Sequence, residues 1–195
     1  AGEIGLDPGL CPRATVVIMA KPLHPSPPVL SRDGVSLTVA NTRRNLPEAL
    51  SPQIKSTNFL NNILAKRESL AAGTFDSLFL NWKDELTECT VSNLFFISGK
   101  TLHTPALDCG ILDGITRTIV MTLAQEEGVP VREGHYHLAD LQRAEECFLT
   151  NTSMEIMPVN RVDSFAIGDG RPGSLTRRLQ TRFADSRTRF LEPPS

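Results

Sequence analysis

Hydrophobic and polar positions alternate between two periods along this chain. The run Thr15-Val16-Val17-Ile18-Met19-Ala20 is continuously apolar and β-branched, which predicts a short buried strand. Pro22, Pro25, Pro27 and Pro28 follow within a few residues. Neither a helix nor a central strand tolerates that spacing, so residues 21–34 read as a stiff linker. Beyond it, Ser36–Asn41 alternates as a strand and 45–52 reads as a loop. Phe59–Ala72 changes to helical spacing, with Leu60, Ile63, Leu64, Leu70 and Ala71 on the face expected to pack inward and Gly73 as the stop.

The period then returns to two. Asp76–Trp82, Glu85–Glu88, Asn93–Ser98 and Lys100–His103 read as strands of an antiparallel meander, with turns at Lys83-Asp84 and Gly99. Thr116–Glu127 is a helix that points Ile119, Val120, Leu123 and Ala124 inward, closed by Gly128. Val129–Gly134, Cys147–Thr150 and Ile156–Val162 are further strands. Leu138–Arg143 and Leu175–Phe183 are helices, and Glu192–Ser195 is a frayed tail. Runs of strands with helices between them, rather than strict alternation, predict an α+β fold with a mixed sheet or barrel.

Composition narrows the function classes. The 195 residues carry a net charge of −2, with 40% hydrophobic and 22% charged positions. That is the profile of a soluble globular protein and gives no electrostatic footprint for nucleic acid. No apolar run approaches a membrane span. Cys11, Cys89, Cys109 and Cys147 are scattered without C-x-x-C pairing or zinc-like spacing, so they read as reduced thiols of a cytoplasmic protein and no metal site is expected. His135 and His137 flank a strand end with no ligand set nearby in sequence. Arg43 and Arg44 read as solvated loop charges, with a substrate-carboxylate site as the alternative.

Four stretches offer chemistry. Lys55 sits in a loop ahead of a helix, beside Ile54 and small polar residues. A partly buried lysine there would lose its charge more easily and could attack carbonyls. Glu88 ends a strand, where a carboxylate can be aimed into a site. Gly110–Arg117 runs from a loop into a helix start, where Gly114 permits close approach and the amides of Ile115 and Thr116 could face an anion. The plainer alternative is an N-cap by Asp113 or Thr116. Leu149–Ser153 is a hydroxyl-rich turn that could either complete a phosphate cup or satisfy its own backbone.

In order, these stretches are a lysine before a helix, Thr87-Glu88 with Ser92-Asn93, Gly110-Ile111-Leu112 with Gly114-Ile115-Thr116-Arg117, and Phe148-Leu149-Thr150-Asn151-Thr152 with Glu155-Ile156 and Pro158-Val159. The series resembles the class IV aminotransferases, pyridoxal-phosphate enzymes of fold type IV, from about Leu37 to Phe183. The resemblance implies pyridoxal 5'-phosphate as cofactor. By the same resemblance, Lys55 would hold the cofactor aldehyde and carry the substrate proton. Glu88 would pair with the pyridine nitrogen and Leu112 would pack on the ring. Ile115, Thr116, Asn151 and Thr152 would bind the phosphate. It also implies an amino-acid-like substrate and a homodimer.

Members of that family carry a small α/β domain before the linker. Residues 1–20 are accordingly expected to be its remnant, residues 21–34 the linker and residues 35–195 the cofactor domain. The run Lys55–Arg67, with Val91–Phe96 and Arg132-Glu133-Gly134, looks most like aminodeoxychorismate lyases, which release pyruvate to form 4-aminobenzoate in folate synthesis. A D-amino-acid or branched-chain aminotransferase is the alternative. The branched-chain enzymes place a tyrosine soon after the lysine, where this chain has Phe59 and Leu60. A fragment that keeps the fold without catalysis is the third reading.

Overall fold

The computed structural model describes residues 4–189. Its elements are α1 (Pro28–Asp33), β1 (Val35–Val39), α2 (Leu60–Ala72), β2 (Asp76–Leu80), β3 (Leu86–Cys89), β4 (Asn93–Ser98), β5 (Thr101–Pro105), α3 (Ile115–Glu126), β6 (Val131–Gly134), α4 (Leu138–Gln142), β7 (Glu146–Asn151), β8 (Glu155–Val162), β9 (Phe165–Ala166) and α5 (Ser174–Ser186). Single 3-10 turns span Pro8–Leu10 and Leu107–Cys109.

The sheet runs β3-β2-β1-β8-β7-β4-β5-β6, with β9 on β8. A further pairing, Glu88 opposite Asn93, joins β3 to β4 and closes six of the strands into a barrel. Strand β1 runs parallel to both β2 and β8, while β2 to β5 form the expected antiparallel meander. The α+β class with a mixed, barrel-like sheet therefore holds.

Two-residue alternation sorts the core. Leu94, Phe96, Cys147, Leu149, Met157 and Val159 join one apolar cluster with Leu37, Leu78 and Leu86. Their neighbours Phe95, Ile97, Phe148 and Ile156 join another, against Val120, Leu123 and Ala124 of α3 and Leu179 of α5. Phe95 and Phe148 stack with centroids 5.1 Å apart across β4 and β7. Strands β4 and β7 thus pack on both faces, which is why Leu94–Ile97 and Cys147–Leu149 are continuous apolar runs in the sequence. The strand predicted to reach Trp82 stops at Leu80. The Asn81 side chain accepts from the amides of Lys83 and Glu85 and turns the chain, and Asp84 takes φ 60°.

Three sequence expectations fail here. Residues 15–20 form no strand, and Val16 to Met19 are 71–90% exposed. An apolar run becomes a strand only by pairing, and none of the described strand pairings includes residues 16–20. The expected linker is irregular only as far as Pro27. Pro28, at the first helical position where its missing N–H costs nothing, begins α1.

The third failure is the facing of α2. Leu60, Ile63 and Leu70 are more than half exposed, and the buried residues are Ala65 and Ser69. Small side chains let the helix lie close on the sheet. Ser77 Oγ donates to the Ala65 carbonyl at 2.6 Å, and Glu68 accepts from the amides of Asn41 and Thr42. Asn61 and Asn62 donate to the carbonyls of Arg43 and Thr90. Polar anchors set the rotation of this helix, and its apolar stripe faces outward. The predicted tail at Glu192–Ser195 lies outside the described residues.

Candidate functional site

One cavity of about 460 Å³ opens between the β3–β4 turn, the start of α3 and the loop before α2. That size suits a small-molecule ligand. All seven residues singled out in the sequence line it: Lys55, Glu88, Leu112, Ile115, Thr116, Asn151 and Thr152.

Glu88 is its fixed point. The carboxylate is 5% exposed. Oε2 accepts from Asn93 Nδ2 at 3.0 Å and from the Leu112 amide at 3.1 Å, and Oε1 meets Arg44 Nη2. Burial pushes this carboxyl up to about 7, opposed by Arg44, the Leu112 hydrogen bond and the nearby Lys55 charge. Arg44 corrects the expectation of a solvated loop cation. It is buried, its Nε donates to the Gly110 carbonyl at 3.1 Å, and its Cζ lies 5.3 Å from the Phe79 ring centre. Burial lowers its pKa, with Glu88 acting the other way. Arg43, by contrast, is the partly solvated one, paired to Asp84 at 2.6 Å.

Asn93 ties two walls together. Its Nδ2 also donates to the Leu112 carbonyl at 2.8 Å. A Cβ at Gly114 would lie 2.2 Å from Asn93 Oδ1, so the glycine is required by space, its φ of −79° being ordinary. Gly114 is the N-cap of α3, and no side chain caps it. Asp113 instead leans toward Arg117 at 3.6 Å. The helix start therefore meets the cavity with its backbone donors uncovered by side chains, where the helix dipole favours an anion.

The 150–153 turn divides its work. Asn151 Oδ1 accepts from the amides of Ser153 and Met154, and its Nδ2 donates to the Val91 carbonyl. This side chain holds the turn in shape, as the self-satisfied alternative had it. Thr152 is exposed on the same turn. Two hydroxyls outside those seven residues also line the cavity: Ser92 Oγ and Thr150 Oγ1 are buried and have no hydrogen-bond partner among the described residues. A buried hydroxyl without a partner is costly, and a polar ligand in the cavity would relieve it.

Lys55 differs from expectation. It lies in the run 53–60, every residue of which is exposed, so it is not the partly buried lysine predicted from its neighbours. No described element packs over that loop, and α2 starts only at Leu60.

The amino-transferase class IV family model matches residues 2–162. The chain belongs to the class IV aminotransferases. It is 38% identical over 189 residues to a putative branched-chain-amino-acid aminotransferase of Methanocaldococcus jannaschii, covering 97% of this chain and 65% of the relative. It is 38% identical over 136 residues to a D-alanine aminotransferase of Listeria monocytogenes, covering 70% of this chain and 47% of that one. The aminodeoxychorismate lyase of Bacillus subtilis is 34% identical over 168 residues, 86% of this chain and 56% of the relative.

Among solved structures, a putative branched-chain amino acid aminotransferase from Thermotoga maritima superposes with TM-score 0.79 at 33% identity, over 85% of this chain and 58% of that one. The branched-chain aminotransferase of Thermoproteus uzoniensis, solved with norvaline, gives TM-score 0.79 at 29% identity, over 85% of this chain and 54% of that one. The chain thus spans about half to two thirds of the length of these relatives. Another branched-chain enzyme of similar fold was solved with pyridoxamine 5'-phosphate. Class IV aminotransferases are pyridoxal-phosphate enzymes, which agrees with a cavity that offers a lysine, a buried carboxylate and an uncapped helix start.

Proposed function

We propose that this chain supplies the cofactor-binding portion, residues 35–195, of a pyridoxal-phosphate aminotransferase acting on an α-amino acid. The observation that carries the reading is the convergence of Lys55, the buried Glu88 and the start of α3 on one cavity. The two unpartnered hydroxyls fit a ligand with phosphate oxygens. Bound pyridoxal 5'-phosphate would supply an electron sink for the substrate's amino-bearing carbon.

The chain's own residues would do the rest. Glu88, fixed by Asn93 and the Leu112 amide, would face the cationic ring nitrogen. Its preference for a proton near neutrality suits sharing one with that nitrogen. The Ile115 and Thr116 amides, with Ser92, Thr150 and Thr152, would hold the phosphate. Lys55, on an exposed loop beside the cavity, would bind the aldehyde carbon and move the proton on and off the substrate carbon. The exposed Leu60, Ile63 and Leu70 would seat a second copy of the chain in a homodimer.

The lyase reading is second, supported by the Bacillus subtilis relative. Part of the sequence pattern that suggests it bears little on substrate choice. Leu94, Phe95 and Phe96 are core, and Glu133 on β6 pairs with Arg117. None of these four aligns with the cavity wall.

The test is borohydride reduction after incubation with pyridoxal 5'-phosphate, followed by peptide mapping. The label is expected on Lys55, and a label elsewhere or none at saturating cofactor would overturn the reading. Assays with D-alanine or L-leucine plus 2-oxoglutarate, and with aminodeoxychorismate alone, then separate amino transfer from pyruvate release.

A further inference from the structure

Away from the cavity, three donor types converge where sequence spacing gives no hint. Cys109 ends the 3-10 turn before Gly110, His135 follows β6, and Glu85 precedes β3. Cys109 Sγ lies 3.5 Å from His135 Nδ1, and the same Nδ1 lies 3.1 Å from Glu85 Oε1. All three donor atoms fall within 4.8 Å of one another.

A single ring nitrogen can give or take one proton, so it cannot serve the thiol and the carboxylate fully at once. The thiol's remaining acceptor, the Gly134 carbonyl, is 3.7 Å away. One cation between the three atoms would satisfy all of them. A tetrahedral zinc-type ion, with bonds of about 2.0–2.2 Å to nitrogen and oxygen and about 2.3 Å to sulfur, needs donor separations of roughly 3.3–3.6 Å. The two measured contacts are close to those edges.

The surrounding groups are also those of a metal centre. Nε2, on the far side of the His135 ring, lies 3.3 Å from Asp108 Oδ2. A carboxylate there fixes which nitrogen is free to ligate. Glu85 Oε2 is held by Asn81 Nδ2 at 2.7 Å, leaving Oε1 to face the cluster. Cys109 is fully buried, which excludes it as a nucleophile toward an outside substrate, while His135 is 44% exposed at its side chain and leaves an entry path and a solvent position.

We infer that Glu85, Cys109 and His135 form a binding site for a divalent transition ion of the zinc type, with water as the fourth ligand. The site would pin the Leu107–Leu112 segment to the start of β3. That segment gives its Gly110 carbonyl to Arg44 and its Leu112 amide to Glu88, so the ion would brace one wall of the cavity without touching it.

The probe is Zn²⁺ alone, titrated calorimetrically into the full chain after chelator treatment, with Co²⁺ as spectroscopic substitute. The expectation is one equivalent bound, a thiolate-to-cobalt absorption band, and a higher melting temperature with metal. Cys109→Ser and His135→Asn should each weaken binding by roughly 100-fold or more, and Cys11→Ser should leave it unchanged. Absence of binding, a cobalt spectrum without the thiolate band, or affinity that follows Cys11 instead of Cys109 would overturn the assignment. The cobalt spectrum needs no variant, so a misfolded substitution leaves the test intact. Pyridoxal-phosphate labelling plays no part in it, so the two proposals can fail separately.

Discussion

The two charged residues on which the proposed chemistry turns live in opposite surroundings. Glu88 sits on a strand with hydrogen bonds to both carboxylate oxygens and a buried arginine against it. Lys55 sits in an exposed loop with no hydrogen bond or ion pair among the described residues. The carboxylate needs only to stay in place beside a ring, and a closed barrel provides that at the cost of burying a charge pair. The lysine must reach, bond and release, which a packed side chain does poorly. On this contrast, substitutions around Glu88 register in stability and substitutions at Lys55 register in chemistry.

The largest stability effect is expected from Arg44→Ala. Removing one partner of a buried pair strands the other, at a cost of about 3–5 kcal/mol. Replacing both, as in Arg44→Met with Glu88→Leu, should recover much of that loss. Chemical denaturation of the single and double variants measures it. A cost below about 1 kcal/mol for the single change would mean that water reaches the pair and that the two regions differ less than their burial suggests.

A pH dependence comes next. The unfolded chain releases the Glu88 proton near its ordinary 4.5, whereas the folded chain keeps it to about 7. Between those values the folded state binds more protons, so Glu88 makes stability fall as pH rises from about 4.5 to 7 and then level off. Glu88→Gln should lack this component. Denaturation midpoints of both proteins across that window give the difference, and parallel curves would show a carboxylate that ionises normally.

How much of this is legible in the sequence follows the same division. Strand runs and the α3 periodicity can be read because their side chains are buried on apolar faces. The seven cavity residues can be gathered because their order along the chain resembles a family. The facing of α2 cannot be read, since Asn61, Asn62 and Glu68 reach backbone groups far off in sequence and outweigh Leu60 and Ile63. Nor can the burial of Arg44, whose partners Glu88 and Gly110 lie 44 and 66 residues away. The strand expected at residues 15–20 fails because β-branched runs report a tendency to pair and say nothing of whether a partner is at hand. The Cys109–His135–Glu85 cluster is invisible for a related reason: no short spacing links residues that a barrel brings together.

Gly114→Ala sits in the middle of the scale. The added methyl would overlap Asn93 Oδ1, and Asn93 cannot move without releasing Glu88 and the Leu112 carbonyl. A strained repacking of this kind costs about 1–3 kcal/mol. It should also weaken binding of pyridoxal 5'-phosphate, because it disturbs the helix start and the carboxylate together. Adding Asn93→Ala in the same chain should relieve the clash but not restore the hold on Glu88. Stability and cofactor affinity would then separate, and a double variant that recovers both would show that Asn93 is only a spacer.

Lys55→Ala should have the smallest effect on folding and the most complete effect on chemistry. An exposed side chain with no hydrogen bond or ion pair among the described residues contributes within about 0.5 kcal/mol of nothing to stability, so the melting curve should overlay that of the unaltered protein. A proton carried by a positioned side chain is worth about 10²–10⁴-fold in rate, so turnover should fall by at least that much, and borohydride should no longer fix the cofactor to the chain. Lys55→Arg sharpens the point. It keeps the charge on a slightly longer side chain but cannot release a proton near neutrality, so it should behave like the alanine variant. If arginine preserved the reaction, the lysine would matter only as a charge near Glu88, and the division between a fixed carboxylate and a free, reactive amine would collapse.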